Sequence, residues 1–104
     1  MMFGPKKPRV SRSPKWPAIR KAWLSIHNSC AACGTKNKLE VHHLRPVHLY
    51  PALELDPSNF LTLCETADNC HHTFGHLRDW KAYNPSAIAD SNQFLRELQA
   101  RPYK

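Results

Sequence analysis

Five of the seven histidines stand in two tight groups, His42-His43 and His71, His72 and His76, and cysteines flank them at Cys30, Cys33, Cys64 and Cys70. These residue types bind transition ions, and neutral imidazole also takes protons near neutral pH. One ring cannot do both. Neighbours on a strand point to opposite faces, so His42 and His43 are expected to divide the work, one on a metal and the other on water. On a regular helix His72 and His76 share a face at i, i+4, whereas His71 and His76 stand about 140° apart. Geometry thus prefers the 72/76 pair, but Gly75 permits a distorted turn and leaves both pairings open. His27 and His48 stand apart from the clusters and read as solvated surface rings.

Cys30-x-x-Cys33, followed by Gly34, has the outline of a zinc knuckle, the glycine being able to take positive φ. Cys64 and Cys70 supply a second pair across a gap of five residues, wider than the usual two. Four cysteines in a short chain could instead form two disulfides. The N-terminus lacks the apolar middle region of a signal peptide, so a reducing, cytoplasmic setting is expected, and the pattern favours one structural Zn²⁺. His71 or His72 could replace Cys70 as its fourth ligand. Four thiolates close the coordination sphere, which makes this ion a staple and not a catalyst.

Such groups need elements to hold them, and the chain has little material for a core. Its 104 residues include nine prolines and 41% hydrophobic residues, which bounds it at one domain whose thin core a metal would help to hold. No run approaches the about 18 apolar residues of a membrane span. Pro17, tolerated in a first helical turn, precedes Ile19, Trp23 and Ile26 at near-helical spacing, predicting a helix over 17–27. Alternation predicts a strand over 39–44, ended by Pro46. A long loop over 47–58 with Pro51, Asp56 and Pro57 follows, then an antiparallel strand over 59–64. Residues 70–77 read as one to two helical turns. Asn84-Pro85 opens a C-terminal helix carrying Ile88, Phe94, Leu95 and Leu98 and ending near Arg101-Pro102. The expected fold is a small zinc-stabilised α+β domain, with a two-stranded antiparallel hairpin and a helix flanked by an N-terminal and a C-terminal helix. The divisions are a flexible basic arm over 1–15, a body over 16–83 and a C-terminal helix and tail over 84–104.

The formal net charge of +7 is unevenly spread: nine of the 15 Lys and Arg lie before Glu40, and all eight acidic residues lie from Glu40 onward. A basic arm with Lys6, Lys7, Arg9 and Arg12, continued by Arg20 and Lys21, is the layout of a polyanion-binding segment, and phosphate backbone is the expected partner. Arg45, after the histidine pair, and Arg78, after His76, are candidate phosphate clamps.

Glu40-Val41-His42-His43 with Pro46, then Asn59-Phe60-Leu61-Thr62-Leu63-Cys64, then Cys70-His71 with His76, framed by Cys30-x-x-Cys33, resembles the HNH endonucleases of the ββα-metal class over about residues 16–83. The resemblance implies a hydrolase cutting DNA phosphodiester bonds in a bacterial or phage-infected cell, with His42 as a metal ligand and His43 as the general base. It implies that Asn59 steadies the loop between the strands, and that His71 and His76 are further ligands of a catalytic divalent ion, Mg²⁺, Mn²⁺, Ni²⁺ or Zn²⁺. Imidazole ligands favour the transition ions over Mg²⁺. A homodimer that cuts both strands stands open beside a monomer. Two rival readings are a non-catalytic zinc-ribbon-like nucleic-acid-binding module, which leaves the histidine clusters and Asn59 without a use, and a structural adaptor.

Overall fold

The computed structural model describes residues 12–67 and 69–100. Along the chain stand α1 (Trp16–Ile26), β1 (Leu39–His43), two 3-10 turns (Pro51–Leu53 and Pro57–Asn59), β2 (Phe60–Cys64), a π-helical turn (His71–Gly75) and α2 (Ala87–Ala100). The two strands form an antiparallel hairpin with Leu39 opposite Cys64 and His43 opposite Phe60.

Alternation along the strands divides the core in two. Val41 and Phe60 face α1, where Trp16, Ile19 and Trp23 cover them. Leu61 and Leu63 face the other way, onto Ala32 and the cysteines, with Phe74 and Phe94 closing that cluster and Leu39, opposite Cys64 at the end of the hairpin, joining it from the strand end. Pro17 lies in the first turn of α1, where its missing N–H leaves no bond unmade. Trp23 Nε1 donates to Thr62 Oγ1 at 2.9 Å, and that hydroxyl donates to the His27 carbonyl at 2.9 Å. Arg20 donates to the Leu39 carbonyl at 3.2 Å and pairs with Glu40 at 3.2 Å. The helix is thereby tied to both strands.

The loop between the strands is more ordered than a sequence of turn formers suggests, because Pro51 and Pro57 each start a 3-10 turn and Asp56 Oδ1 caps the second by accepting from Ser58 N at 3.0 Å. After β2, Asn69 takes φ 43° and its Oδ1 accepts from His72 N at 3.0 Å, opening the π-helical turn. A Cβ on Gly75 would lie 2.9 Å from the His42 ring, so only glycine lets this turn approach β1 so closely. Asn84 is buried and holds the next joint: it donates to the Phe74 carbonyl at 2.9 Å and to Asp90 at 2.8 Å, and accepts from Ser86 N at 2.9 Å. Asn84 and Pro85 thus form a capping turn, and α2 itself starts at Ala87. Lys6, Lys7, Arg9, most of the expected arm and the expected helix end near Arg101-Pro102 lie outside the described residues. No helix among the described residues is long and apolar enough to cross a membrane.

Candidate metal centres

The Sγ atoms of Cys30, Cys33, Cys64 and Cys70 all lie within 4.8 Å of one another. Cys33 and Cys64 are 3.7 Å apart, whereas a tetrahedral site with Zn–S of about 2.3 Å spaces its sulfurs about 3.8 Å apart. The thiols are free, so the disulfide alternative is not realised. Gly34 turns the knuckle with φ 81°, and the N–H groups of Ala32 and Cys33 point at Cys30 Sγ from 3.4 Å. Donation by the Cys70 thiol holds the Cys30 thiol well below its ordinary range, outweighing burial. Its role as that donor, together with burial, pushes Cys70 up, and burial pushes Cys33 up to about 11. A bound cation would supply the charge that lets all four ionise together. The cluster can therefore hold a structural ion such as zinc, and the wide second gap does not keep Cys70 out of it.

One ring nitrogen from each of His42, His71 and His76 also lies within 4.8 Å of the others. His42 Nδ1 and His71 Nε2 are 3.1 Å apart, near the about 3.4 Å expected between tetrahedral ligands at a metal–nitrogen distance of about 2.1 Å. The outer nitrogens of two of the rings are engaged elsewhere: His71 Nδ1 donates to Glu65 Oε2 at 2.8 Å and His76 Nδ1 to the Ala82 carbonyl at 2.8 Å, while His42 Nε2 is buried without a hydrogen-bond partner. Burial first, and then the neighbouring His71, His76 and His43, hold His42 well below the ordinary imidazole range, in the neutral form that ligates metals. These rings fit a divalent ion by donor type and spacing.

The preference for His72 over His71 that a regular helix carries does not hold. A π-helical turn closes i to i+5, which brings His71 and His76 to the same side. Their ring centroids are 4.9 Å apart, while His72 turns onto Trp80 at 4.5 Å. Trp80 also packs against His71 at 5.1 Å and His76 at 4.8 Å, forming an aromatic wall for all three.

His43 points to the opposite face of β1, against Trp16 at 4.7 Å and Phe60 at 5.3 Å. Its Nε2 donates to the Glu54 carbonyl at 2.8 Å, which assigns the lone pair to Nδ1. Burial lowers its pKa, opposed by that bond, with the charge of Arg12 lowering it further. Asn59 is buried and braces the same loop: Oδ1 accepts from Arg45 N at 2.8 Å, and Nδ2 donates to the carbonyls of Arg45 at 3.1 Å and Leu53 at 3.3 Å.

His42, His43, His71 and His76 all line one cleft of about 320 Å³, together with Arg12, Arg20 and Lys81. Arg20 is half-buried and spends part of its guanidinium on Glu40, so it serves the fold as well as the cleft. Lys21, Arg45 and Arg78 are exposed and are not among the residues lining the cleft; Arg45 lies over the Tyr50 ring at 5.3 Å. Glu65, Trp80 and the Glu54 carbonyl were not legible as parts of the site. Glu65 carried one signal, an acidic residue directly after a candidate zinc cysteine, whereas a backbone carbonyl leaves none. No protein-family model, curated protein or solved structure matches the chain.

Proposed function

We propose that this chain is a metal-dependent endonuclease of the HNH type, in which β1, β2 and the π-helical turn make a ββα-metal finger that hydrolyses DNA phosphodiester bonds. The observation that carries the reading is the division between two adjacent residues. His42 meets His71 and His76, while His43 is held by Trp16 and the Glu54 carbonyl, and both line the same cleft. A module that only binds nucleic acid has no use for that division.

A phosphodiester resists attack because its non-bridging oxygens repel hydroxide, so cleavage needs charge neutralisation, a deprotonated water and help for the departing oxygen. A divalent ion on His42, His71 and His76 would supply positive charge to the phosphate and to the leaving 3′ oxygen. His43 Nδ1 takes a proton from water, the water oxygen attacks phosphorus, and the bond to the 3′ oxygen breaks. The 3′ oxygen leaves as an alkoxide and takes a proton from solvent water, His43 releases its proton to solvent, and the products are a 5′ phosphate and a 3′ hydroxyl. Arg12, Arg20 and Lys81 bring positive charge to the cleft in which the phosphate lies. Nicking of supercoiled plasmid with and without EDTA tests this. Chelator-sensitive nicking supports the reading, and retarded but uncut plasmid supports a binding module instead.

A further inference from the structure

The five residues between Cys64 and Cys70 are the one oddity of the cysteine pattern that zinc binding does not explain. The described ones among them, residues 65–67 and 69, are braced by hydrogen bonds. Glu65 N donates to the Lys38 carbonyl at 2.8 Å, Asn69 N to the Thr66 carbonyl at 2.8 Å, and Asn69 Oδ1 caps the π-helical turn at His72 N. The loop brings the Glu65 carboxylate to His71 Nδ1 at 2.8 Å, with the two side chains 23% and 9% exposed.

We propose that Glu65 is a positioning residue that fixes His71 and thereby sets the affinity of the three-histidine site for its divalent ion; this rests on the metal reading of that site. A carboxylate that accepts from the far N–H of an imidazole selects the tautomer, stops ring rotation and strengthens the other nitrogen as a donor. Here it leaves His71 Nε2 facing His42 Nδ1 at 3.1 Å. Trp80 restrains the same ring from a second direction, at 5.1 Å. Both partners of the bond directly follow cysteines of the thiol cluster, Glu65 after Cys64 and His71 after Cys70. The cluster therefore sets the distance between carboxylate and ring, and the wide gap is the length that lets one reach the other. The three imidazoles carry no formal charge of their own, and Glu65 delivers a negative charge to the ion through His71.

The test uses the full, zinc-loaded chain and its Glu65→Gln, Glu65→Ala and His42→Ala variants, titrated with Ni²⁺ by calorimetry, with zinc content measured in each. Glu65→Ala is expected to weaken Ni²⁺ binding about 10- to 100-fold with one zinc per chain retained, the usual effect of losing an outer-shell partner. Glu65→Gln, whose amide oxygen still accepts from Nδ1–H, is expected to recover part of that loss. Unchanged Ni²⁺ affinity in Glu65→Ala, beside its loss in His42→Ala, overturns the role of Glu65 and leaves the metal reading standing. A parent chain that binds no Ni²⁺ at all overturns both. Loss of zinc from both Glu65 variants makes Glu65 a residue of the zinc fold and overturns the proposal.

Discussion

His42 Nδ1 lies 3.1 Å from His71 Nε2 across a sequence separation of 29 residues, and the contact exists because Gly75 lets the π-helical turn sit against the His42 ring. A strand and a non-standard turn each deliver imidazole to the same point. The cluster is thus as sensitive to the glycine as to the histidines.

Gly75→Ala places a methyl group 2.9 Å from the His42 ring, so ring or turn must move. Overpacking of this kind costs about 1–3 kcal/mol. The variant is expected to keep its zinc, unfold at lower temperature and lose the second ion, as read by calorimetric metal titration beside a thermal melt.

His43 touches none of the three clustered rings through a hydrogen bond and is held by the Glu54 carbonyl. His43→Ala is expected to bind both ions as the parent does and to nick supercoiled DNA about 10²- to 10⁴-fold more slowly, the range for removing a general base. Single-turnover rates at saturating metal measure this. Unchanged rates would remove His43 from the mechanism.

Asn59 satisfies the N–H and carbonyl of Arg45 and the carbonyl of Leu53, next to the Glu54 carbonyl that orients His43. Asn59→Ala takes a partner from three part-buried backbone groups, which water can replace in part, so the expected loss is about 1–3 kcal/mol in all. A lower melting temperature together with a lower kcat at unchanged metal content is the expected result.

Deleting residues 1–11 removes Lys6, Lys7 and Arg9 and keeps Ser13, whose N–H donates to Glu54 at 2.7 Å. If those three cations contact phosphate, the slope of log affinity against log salt falls by about 2–3. Filter binding across a salt series reads this out, and an unchanged slope would mean that the arm does not touch DNA.

Much of the fold was legible because local rules agree with packing. Pro17 marks the first turn of α1, and the alternation along β1 puts Val41 and His43 on the face that Trp16 covers and His42 on the other, placing the two histidines apart. What was not legible depends on contacts between distant segments. The choice of His71 over His72 needs a turn closed at i+5, which the close approach of Gly75 to His42 accommodates. Arg20 read as a free cation on an exposed face because its partner, Glu40, arrives only when β1 packs on α1. Glu54 serves His43 through its backbone, for which the side chain gives no sign.

The central claim is that the three-histidine site holds an ion required for cutting. Its most direct test is the rate of supercoiled plasmid nicking by the zinc-loaded chain as Mn²⁺ is titrated, with His42→Ala alongside. A saturable rise from no detectable cleavage in the parent, absent in His42→Ala at unchanged zinc content, is the predicted result. No cleavage at any Mn²⁺ concentration, or equal cleavage by the two proteins, would contradict it.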